Sequence, residues 1–218
     1  MSCSLVGRQK QIPVRSAGAI TSLLLISFHV HAATLEENRA GAAAPRDIID
    51  AWEVQYDTAA LWSIGLDASP LHYTFLPQML SLKTPQFTHF GFDSGDLVVR
   101  ARFSVLGEPI VQGPESYFVG MSFSPSLEWW NKPRSFAAFY SVGGGVGWMD
   151  ARGDQVPGGQ GQDFNFNWFM HGGIKYRWND HFSASLGIMF QHISNGGQNR
   201  INPGVNALGP TLGVSYHF

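Results

Sequence analysis

Polar and apolar residues alternate with a period of two along most of the chain after about residue 50. Successive side chains of a β-strand point to opposite faces, so this alternation predicts strands with one apolar and one polar face. Turn-forming stretches, such as residues 131–134 (Asn-Lys-Pro-Arg), interrupt the pattern. We therefore predict eight strands, at about residues 50–65, 71–84, 96–111, 117–130, 135–149, 163–178, 182–194 and 206–218.

The sixth predicted strand shows the partition of side chains most clearly. One face carries Phe164, Phe166, Trp168, Met170, Ile174, Tyr176 and Trp178. The other face carries Asn165, Asn167, His171, Lys175 and Arg177, with Phe169 as an exception. A membrane barrel is apolar outside and can be polar inside, whereas a soluble, lipocalin-like barrel would turn the same alternation around.

The end of the chain favours the membrane barrel over the soluble one. Residues 214–218 (Val-Ser-Tyr-His-Phe) form an aromatic-terminated strand that resembles the C-terminal signature of bacterial outer-membrane barrels. Eight is also the smallest usual number of strands in such a barrel. The predicted fold is therefore all-β, an eight-stranded antiparallel transmembrane β-barrel of the bacterial outer membrane.

The N-terminal region has the three parts of a secretory signal peptide. Arg8, Lys10 and Arg15 precede an apolar run at residues 17–28, which is too short for a membrane helix of about 20 residues. Residues 30–32 (Val-His-Ala) offer a cleavage site, so we predict a signal peptide at 1–32. Residues 33–49 lack periodicity and are expected to form a flexible lead-in to the barrel at 50–218.

Composition excludes several classes of function. Removing the signal peptide takes away three basic residues and no acidic one, so the mature chain is acidic and has no basic stripe for a nucleic acid. Cys3, the single cysteine, lies in the signal peptide, so no disulfide is expected. The histidines lack the spacing of a metal site, and we expect no metal and no cofactor.

Three polar residues continue the apolar faces of the last two predicted strands. In the seventh strand, His192 and Ser194 fall in phase with an apolar row on alternate residues from 182 to 190. In the eighth strand, Asn206 falls in phase with Leu208 and the alternate residues that follow it. With the N-terminus in the periplasm, the loop at about 195–205 is extracellular. We therefore expect the three groups to meet on the lipid-facing wall, at the outer leaflet.

The spacing of His192 and Ser194 suits ester hydrolysis. Residues two apart on a strand share one face, about 6–7 Å apart along the backbone, so the imidazole can take the hydroxyl proton. The serine oxygen can then attack an ester carbonyl. Hydrogen-bond donors for the resulting oxyanion can come from the Asn195 amide and from the backbone of Asn195, Gly196 and Gly197. Each residue also has a structural explanation, since a histidine can anchor a strand at the interface and a serine can begin a turn.

These residues resemble the signature of a known family, the lipid A 3-O-deacylases, or PagL-type acyloxyacyl hydrolases. The resemblance rests on residues 192–197 (His-Ile-Ser-Asn-Gly-Gly), on 202–204 (Asn-Pro-Gly) and on the barrel-closing strand. It covers roughly residues 135–218, and segments 62–65 and 157–163 also look like recurring elements of the family. It implies hydrolysis of the acyl ester at position 3 of lipid A, the membrane anchor of lipopolysaccharide, without a metal. By the same resemblance Ser194 is the nucleophile, His192 the base and Asn195 part of the oxyanion hole.

The third catalytic position departs from the family pattern. Where the well-studied member of the family has a glutamate fourteen residues after the histidine, this chain has Asn206, and no Asp or Glu follows Asp180. Asparagine can accept a hydrogen bond and fix the imidazole tautomer, as in Cys-His-Asn enzymes, but it cannot stabilise imidazolium by charge. The sequence is therefore compatible with a slow enzyme or with an inactive one.

Other functions stay open at this stage. Asn206 is compatible with a non-enzymatic outer-membrane barrel that has a structural or binding role. A small-molecule channel is disfavoured, because an eight-stranded barrel is filled by its own side chains and the inward set includes Arg100, Arg102 and Lys175. A phospholipase of the outer membrane would use similar residues on a larger barrel. The sequence also leaves open whether the protein is a monomer or a homodimer.

Overall fold

The computed structural model describes residues 47–66 and 68–218. The predicted signal peptide, and residues 33–46 of the predicted lead-in, lie outside the described residues. Within the described part, a 3-10 helix at Ile48–Asp50 precedes eleven strands. The strands are β1 Glu53–Ala59, β2 Leu61–Ser63, β3 Thr74–Phe75, β4 Gln78–Lys83, β5 Thr88–Phe92, β6 Gly95–Gln112, β7 Tyr117–Asn131, β8 Phe136–Met149, β9 Phe164–Arg177, β10 Phe182–Ser194 and β11 Val205–His217.

These strands form a closed antiparallel barrel with eight barrel strands. β1 and β2 together make the first, β3, β4 and β5 make the second, and β6 to β11 make the other six. Each pairs with its neighbour, and β1 pairs with β11 from Glu53 opposite His217 to Ala59 opposite Thr211, which closes the barrel. The predicted eight-stranded antiparallel fold is therefore confirmed.

Two boundaries differ from the sequence prediction. The second barrel strand, expected to end near residue 84, continues to Phe92, because the backbone N–H groups of Thr84 and Phe87 still donate to β6 on either side of Pro85. Residues 48 and 49, expected in the lead-in, belong to the 3-10 helix. A 3-10 helix of three residues is too short to leave a periodic signal, although both isoleucines are buried against Val98 and Trp130.

The outer wall is apolar and the inner wall is polar. In β9 the predicted outward residues Phe166, Trp168 and Met170 are 39%, 42% and 36% exposed, whereas Lys175 on the opposite face is fully buried. Phe169, the exception in the sequence pattern, points inward and is 1% exposed. A soluble barrel would bury this apolar row, so the orientation is that of a membrane barrel.

Within residues 47–66 and 68–218, no helix is long and apolar enough to cross a membrane.

Paired charges fill the interior of the barrel. The Glu53 carboxylate forms ion pairs with the Lys175 ammonium at 2.5 Å and with the Arg100 guanidinium at 3.0 Å. Lys83 forms an ion pair with Glu128 at 2.8 Å. A buried charge without a partner is costly, so each of these side chains requires the others. Nearer the end that carries the β10–β11 loop, a cluster of buried apolar side chains also fills the interior. This filled interior argues against the channel.

Candidate active site

Strand pairing brings the three predicted polar residues together on the outer wall. His192 and Ser194 occupy alternate positions at the end of β10, and Asn206 lies directly opposite His192 in β11. The period of two therefore places both β10 side chains outward, above the apolar row that ends at Phe190. Ser194 and His192 are half-buried and Asn206 is 8% exposed.

Hydrogen bonds join these three side chains in a line. Ser194 Oγ lies 2.9 Å from His192 Nε2, and His192 Nδ1 lies 2.7 Å from Asn206 Oδ1. An amide oxygen can only accept, so Nδ1 carries the proton and Nε2 is left to accept from the Ser194 hydroxyl. The imidazole is thus in the tautomer that a general base for Ser194 requires.

The two predicted oxyanion donors have different surroundings. Asn195 is fully buried, its side-chain Nδ2 donates to the Ile201 carbonyl at 2.8 Å, and its backbone N–H donates to Asn202 Oδ1 at 2.9 Å. Its Oδ1 accepts from the backbone N–H of Gly197 at 2.9 Å. Asn195 therefore organises the loop. Gly196 is exposed with φ +64°, and its N–H has no acceptor among the described residues.

Aromatic side chains line one flank of the site. The Trp168 ring lies 5.9 Å from the His192 ring and 5.0 Å from the Phe190 ring, between centroids. Phe166 lies opposite Ser194 in the β9–β10 register. Ser194 is therefore bordered by an aromatic wall suited to contact with an apolar chain.

A family model matches most of the barrel. The model, described as lipid A 3-O-deacylase (PagL), matches residues 78–215, which is more than half of the chain and includes His192, Ser194 and Asn206. The chain belongs to the lipid A 3-O-deacylase (PagL) family. The predicted family is confirmed, and the match begins further upstream than the expected residue 135. No curated protein matches the chain.

Solved structures share the fold at low sequence identity. The crystal structure of the outer-membrane enzyme PagL is 20% identical with a TM-score of 0.49, over 74% of this chain and 97% of that chain. Neisserial surface protein A is 13% identical with a TM-score of 0.50, over 77% of this chain and 97% of that chain. Ail of Yersinia pestis is 12% identical with a TM-score of 0.40, over 77% and 97%. Neisserial surface protein A is similar in fold alone.

A second Ser-His-acid arrangement lies inside the barrel of this lipid A 3-O-deacylase family member. Ser183 Oγ is 2.8 Å from His217 Nε2, and His217 Nδ1 is 3.7 Å from Glu53 Oε2. All three side chains are at most 1% exposed, so no substrate can reach them. Ser194, His192 and Asn206 therefore differ from this interior arrangement in being reachable from the lipid, rather than in residue type. Among the described residues, no group of three or more His, Cys, Asp or Glu side chains could hold a metal ion.

The loops at the β10–β11 end of the barrel are hydrogen-bonded to one another around the site. The buried Glu115 carboxylate accepts from the Tyr73 hydroxyl at 2.9 Å and from the backbone N–H of Gln160 at 2.7 Å. Burial, together with the neighbouring Glu115 charge, raises the pKa of the Tyr73 hydroxyl, so it stays a donor. The backbone N–H of Ser69 donates to the Gly204 carbonyl at 2.8 Å. Loops that are far apart in sequence thus hold the β10–β11 loop in place.

Sequence analysis missed the groups that support the three polar residues. The Asn206 Nδ2 donates to the Gly65 carbonyl at 3.0 Å and to the Leu66 carbonyl at 2.9 Å. Gly204 has φ +65° and lies against the imidazole, because a Cβ built there would be 3.2 Å from His192 Cε1. The resemblance of residues 62–65 to a recurring family element was the one signal that could have located the first of these contacts.

Proposed function

We propose that this protein hydrolyses the ester-linked acyl chain at position 3 of lipid A and releases a 3-hydroxy fatty acid. The observation that carries the proposal is the bonded line Ser194–His192–Asn206 on the lipid-facing wall of a family member. Ser194 acts as nucleophile and His192 as general base. The protein is exported by its signal peptide, and the site acts in the outer leaflet of the outer membrane.

Two acyl-transfer steps account for the reaction. Ser194 Oγ attacks the ester carbonyl while His192 Nε2 takes the hydroxyl proton, and a tetrahedral intermediate with a negative oxygen forms. The bond from the carbonyl carbon to the sugar oxygen then breaks, and His192 returns its proton to that oxygen. Water attacks the acyl-Ser194 ester with His192 again as base, which releases the fatty acid and restores the hydroxyl.

The negative oxygen of each tetrahedral intermediate needs a donor that is already in place. The exposed N–H of Gly196 supplies one, because the neighbouring N–H groups of Asn195 and Gly197 are engaged within the loop. Asn195 then contributes to the oxyanion hole by fixing the loop rather than through its own amide. This assignment refines the role that the family resemblance implies for Asn195.

The position of the site on the barrel fits a lipid ester. Below Ser194 the outer wall is apolar, and the half-exposed Trp168 and the neighbouring Phe190 can contact an acyl chain. Above it lies the polar loop of residues 195–204, at the level expected for the sugar headgroup. An ester that joins an acyl chain to a sugar would lie at this boundary.

Mass spectrometry of lipid A from cells that express the protein tests this proposal. We expect the wild-type protein to remove one 3-hydroxyacyl chain, and Ser194→Ala to leave lipid A fully acylated. Ser183→Ala is the matched control, since Ser183 lies on the same strand and also bonds a histidine, but inside the barrel. Lipid A should be deacylated in the control.

Three results would contradict the proposal. Fully acylated lipid A with the folded wild-type protein would favour a structural or binding barrel. Release of lysophospholipid instead of a 3-hydroxy fatty acid would indicate a phospholipase. Deacylation that persists in Ser194→Ala would refute the assignment of the nucleophile.

A further inference from the structure

All polar atoms of the Asn206 side chain are engaged. Its Oδ1 accepts from His192 at 2.7 Å, and its Nδ2 donates to two consecutive carbonyls, those of Gly65 and Leu66. An amide has one acceptor oxygen and two donor hydrogens, so this environment matches its two ends separately. The carbonyls also decide the orientation of the amide, because a flipped side chain would turn its oxygen toward them.

The loop that provides these carbonyls has an unusual backbone. Gly65 and Leu66 both have positive φ, +73° and +62°, although left-handed backbone is unfavourable for leucine. The loop also donates a hydrogen bond to β11, because the backbone N–H of Ile64 donates to the backbone carbonyl of Asn206 at 3.0 Å. The strained conformation therefore aims both carbonyls at one side chain.

We propose that the Gly65–Leu66 carbonyl pair is a positioning element that requires an amide, and not an acid, at residue 206. This inference rests on the proposed function, because the side chain that the pair orients acts through His192. An aspartate would place a second oxygen where the Asn206 Nδ2 now lies, about 3 Å from two carbonyl oxygens that offer no proton. Asn206 is thus the residue that this loop requires, and its amide is not a defective substitute for a catalytic acid.

Restoring the negative charge should therefore lower activity. For Asn206→Asp we expect the deacylation rate to fall by about tenfold or more, because repulsion displaces either the loop or the carboxylate from His192. A protonated aspartic acid can imitate the amide by donating to one carbonyl. The ratio of variant rate to wild-type rate should consequently fall as pH rises from about 6 to 9.

A double-mutant cycle tests whether the loop acts through Asn206. Proline cannot adopt the positive φ of Leu66, so Leu66→Pro should turn the carbonyls away. We expect Leu66→Pro and Asn206→Ala each to lower kcat with less change in KM. We also expect the double variant to be little worse than either single one.

Nitrogen-15 NMR of the histidine rings gives a readout independent of turnover. In the folded wild-type barrel, the His192 ring should carry its proton on Nδ1. In Asn206→Ala and in Leu66→Pro, the two neutral tautomers should both appear, whereas a purely structural role would leave the ring unchanged. His217, which is bonded inside the barrel, serves as the internal control.

Three results would overturn the inference. The first is an Asn206→Asp enzyme as active as wild type, with a ratio of variant rate to wild-type rate that stays flat or rises with pH. The second is additive effects of Leu66→Pro and Asn206→Ala in the double-mutant cycle. The third is a wild-type His192 ring without the proton on Nδ1. If wild-type protein fails to deacylate lipid A, the proposed function fails, and the ring spectra still decide whether the loop positions the imidazole.

Discussion

A methyl group added at Gly204 should move the imidazole of His192 without replacing any of the three side chains of the candidate site. The new Cβ would lie 3.2 Å from His192 Cε1, whereas carbon atoms in contact prefer about 3.5–4.0 Å. The ring must therefore shift by a few tenths of an ångström. Since a misplacement of about 1 Å can cost about 100-fold in rate, a shift of 0.3–0.5 Å should cost roughly 4- to 10-fold if the cost scales with displacement.

Gly197→Ala is the matched control for Gly204→Ala. Both glycines lie in the β10–β11 loop with positive φ, +81° and +65°, so alanine strains the backbone by about 1–2 kcal/mol in either case. A Cβ on Gly197, however, has no neighbour within 4 Å. The two variants should lose similar stability, and the loss of rate should be confined to Gly204→Ala.

The assay is the steady-state rate of deacylation of purified lipid A in detergent micelles, with thermal unfolding measured on the same samples. Equal rates for the two variants would refute the claim that the position of the His192 ring limits catalysis. A large loss in Gly197→Ala would show instead that strain in the loop is what matters.

Three further predictions concern the barrel and its loops. Ile188→Arg, at the middle of β10 on the outer face, should destabilise the barrel in lipid vesicles by about 2–4 kcal/mol, as measured by denaturant unfolding. Val111→Arg, near the end of β6 on the same face, should cost about 1 kcal/mol or less. Equal costs for the two variants would contradict the membrane orientation. Glu53→Gln should cost about 3–5 kcal/mol in the same assay, because it leaves buried cations without their partner. Burial raises the pKa of the Asp150 carboxyl, but hydrogen bonds, chiefly from Ser116, outweigh this effect and hold the pKa below its ordinary value. Its stabilisation of the β6–β7 turn is therefore present above that ordinary value and lost as pH falls, so acid should lower the protection factor for amide exchange at Ser116 in wild type and not in Asp150→Asn.

The sequence was informative wherever the period of two decides the outcome. Alternation placed Trp168 outward and Lys175 inward, and the same parity placed His192 and Ser194 on the lipid-facing wall. It also put Asn206 in phase on the neighbouring strand. The prediction succeeded because strand geometry repeats strictly and because one face of each strand must meet lipid.

The same reasoning could not reach contacts that depend on loops. The orientation of the Gly65 and Leu66 carbonyls follows from two positive φ angles, and leucine gives no local signal for such a conformation. The burial of Asn195 depends on where Ile201 and Asn202 return in the same loop. These are consequences of tertiary pairing, which propensity and periodicity do not contain.

The buried polar side chains inside the barrel help to keep His192 and Ser194 on its outer face. A slip of β10 by one residue would turn His192 and Ser194 into the lumen and every inward residue toward lipid. Gln191, the inward neighbour of His192, donates to the Glu108 carboxylate across the barrel at 2.7 Å, and Ser183 bonds His217 at 2.8 Å near the other end of the strand. A slip would break both bonds and expose polar groups to hydrocarbon, which costs far more than it gains. The interior bonds therefore fix the register of β10, and with it the face on which the His192 imidazole and the Ser194 hydroxyl lie.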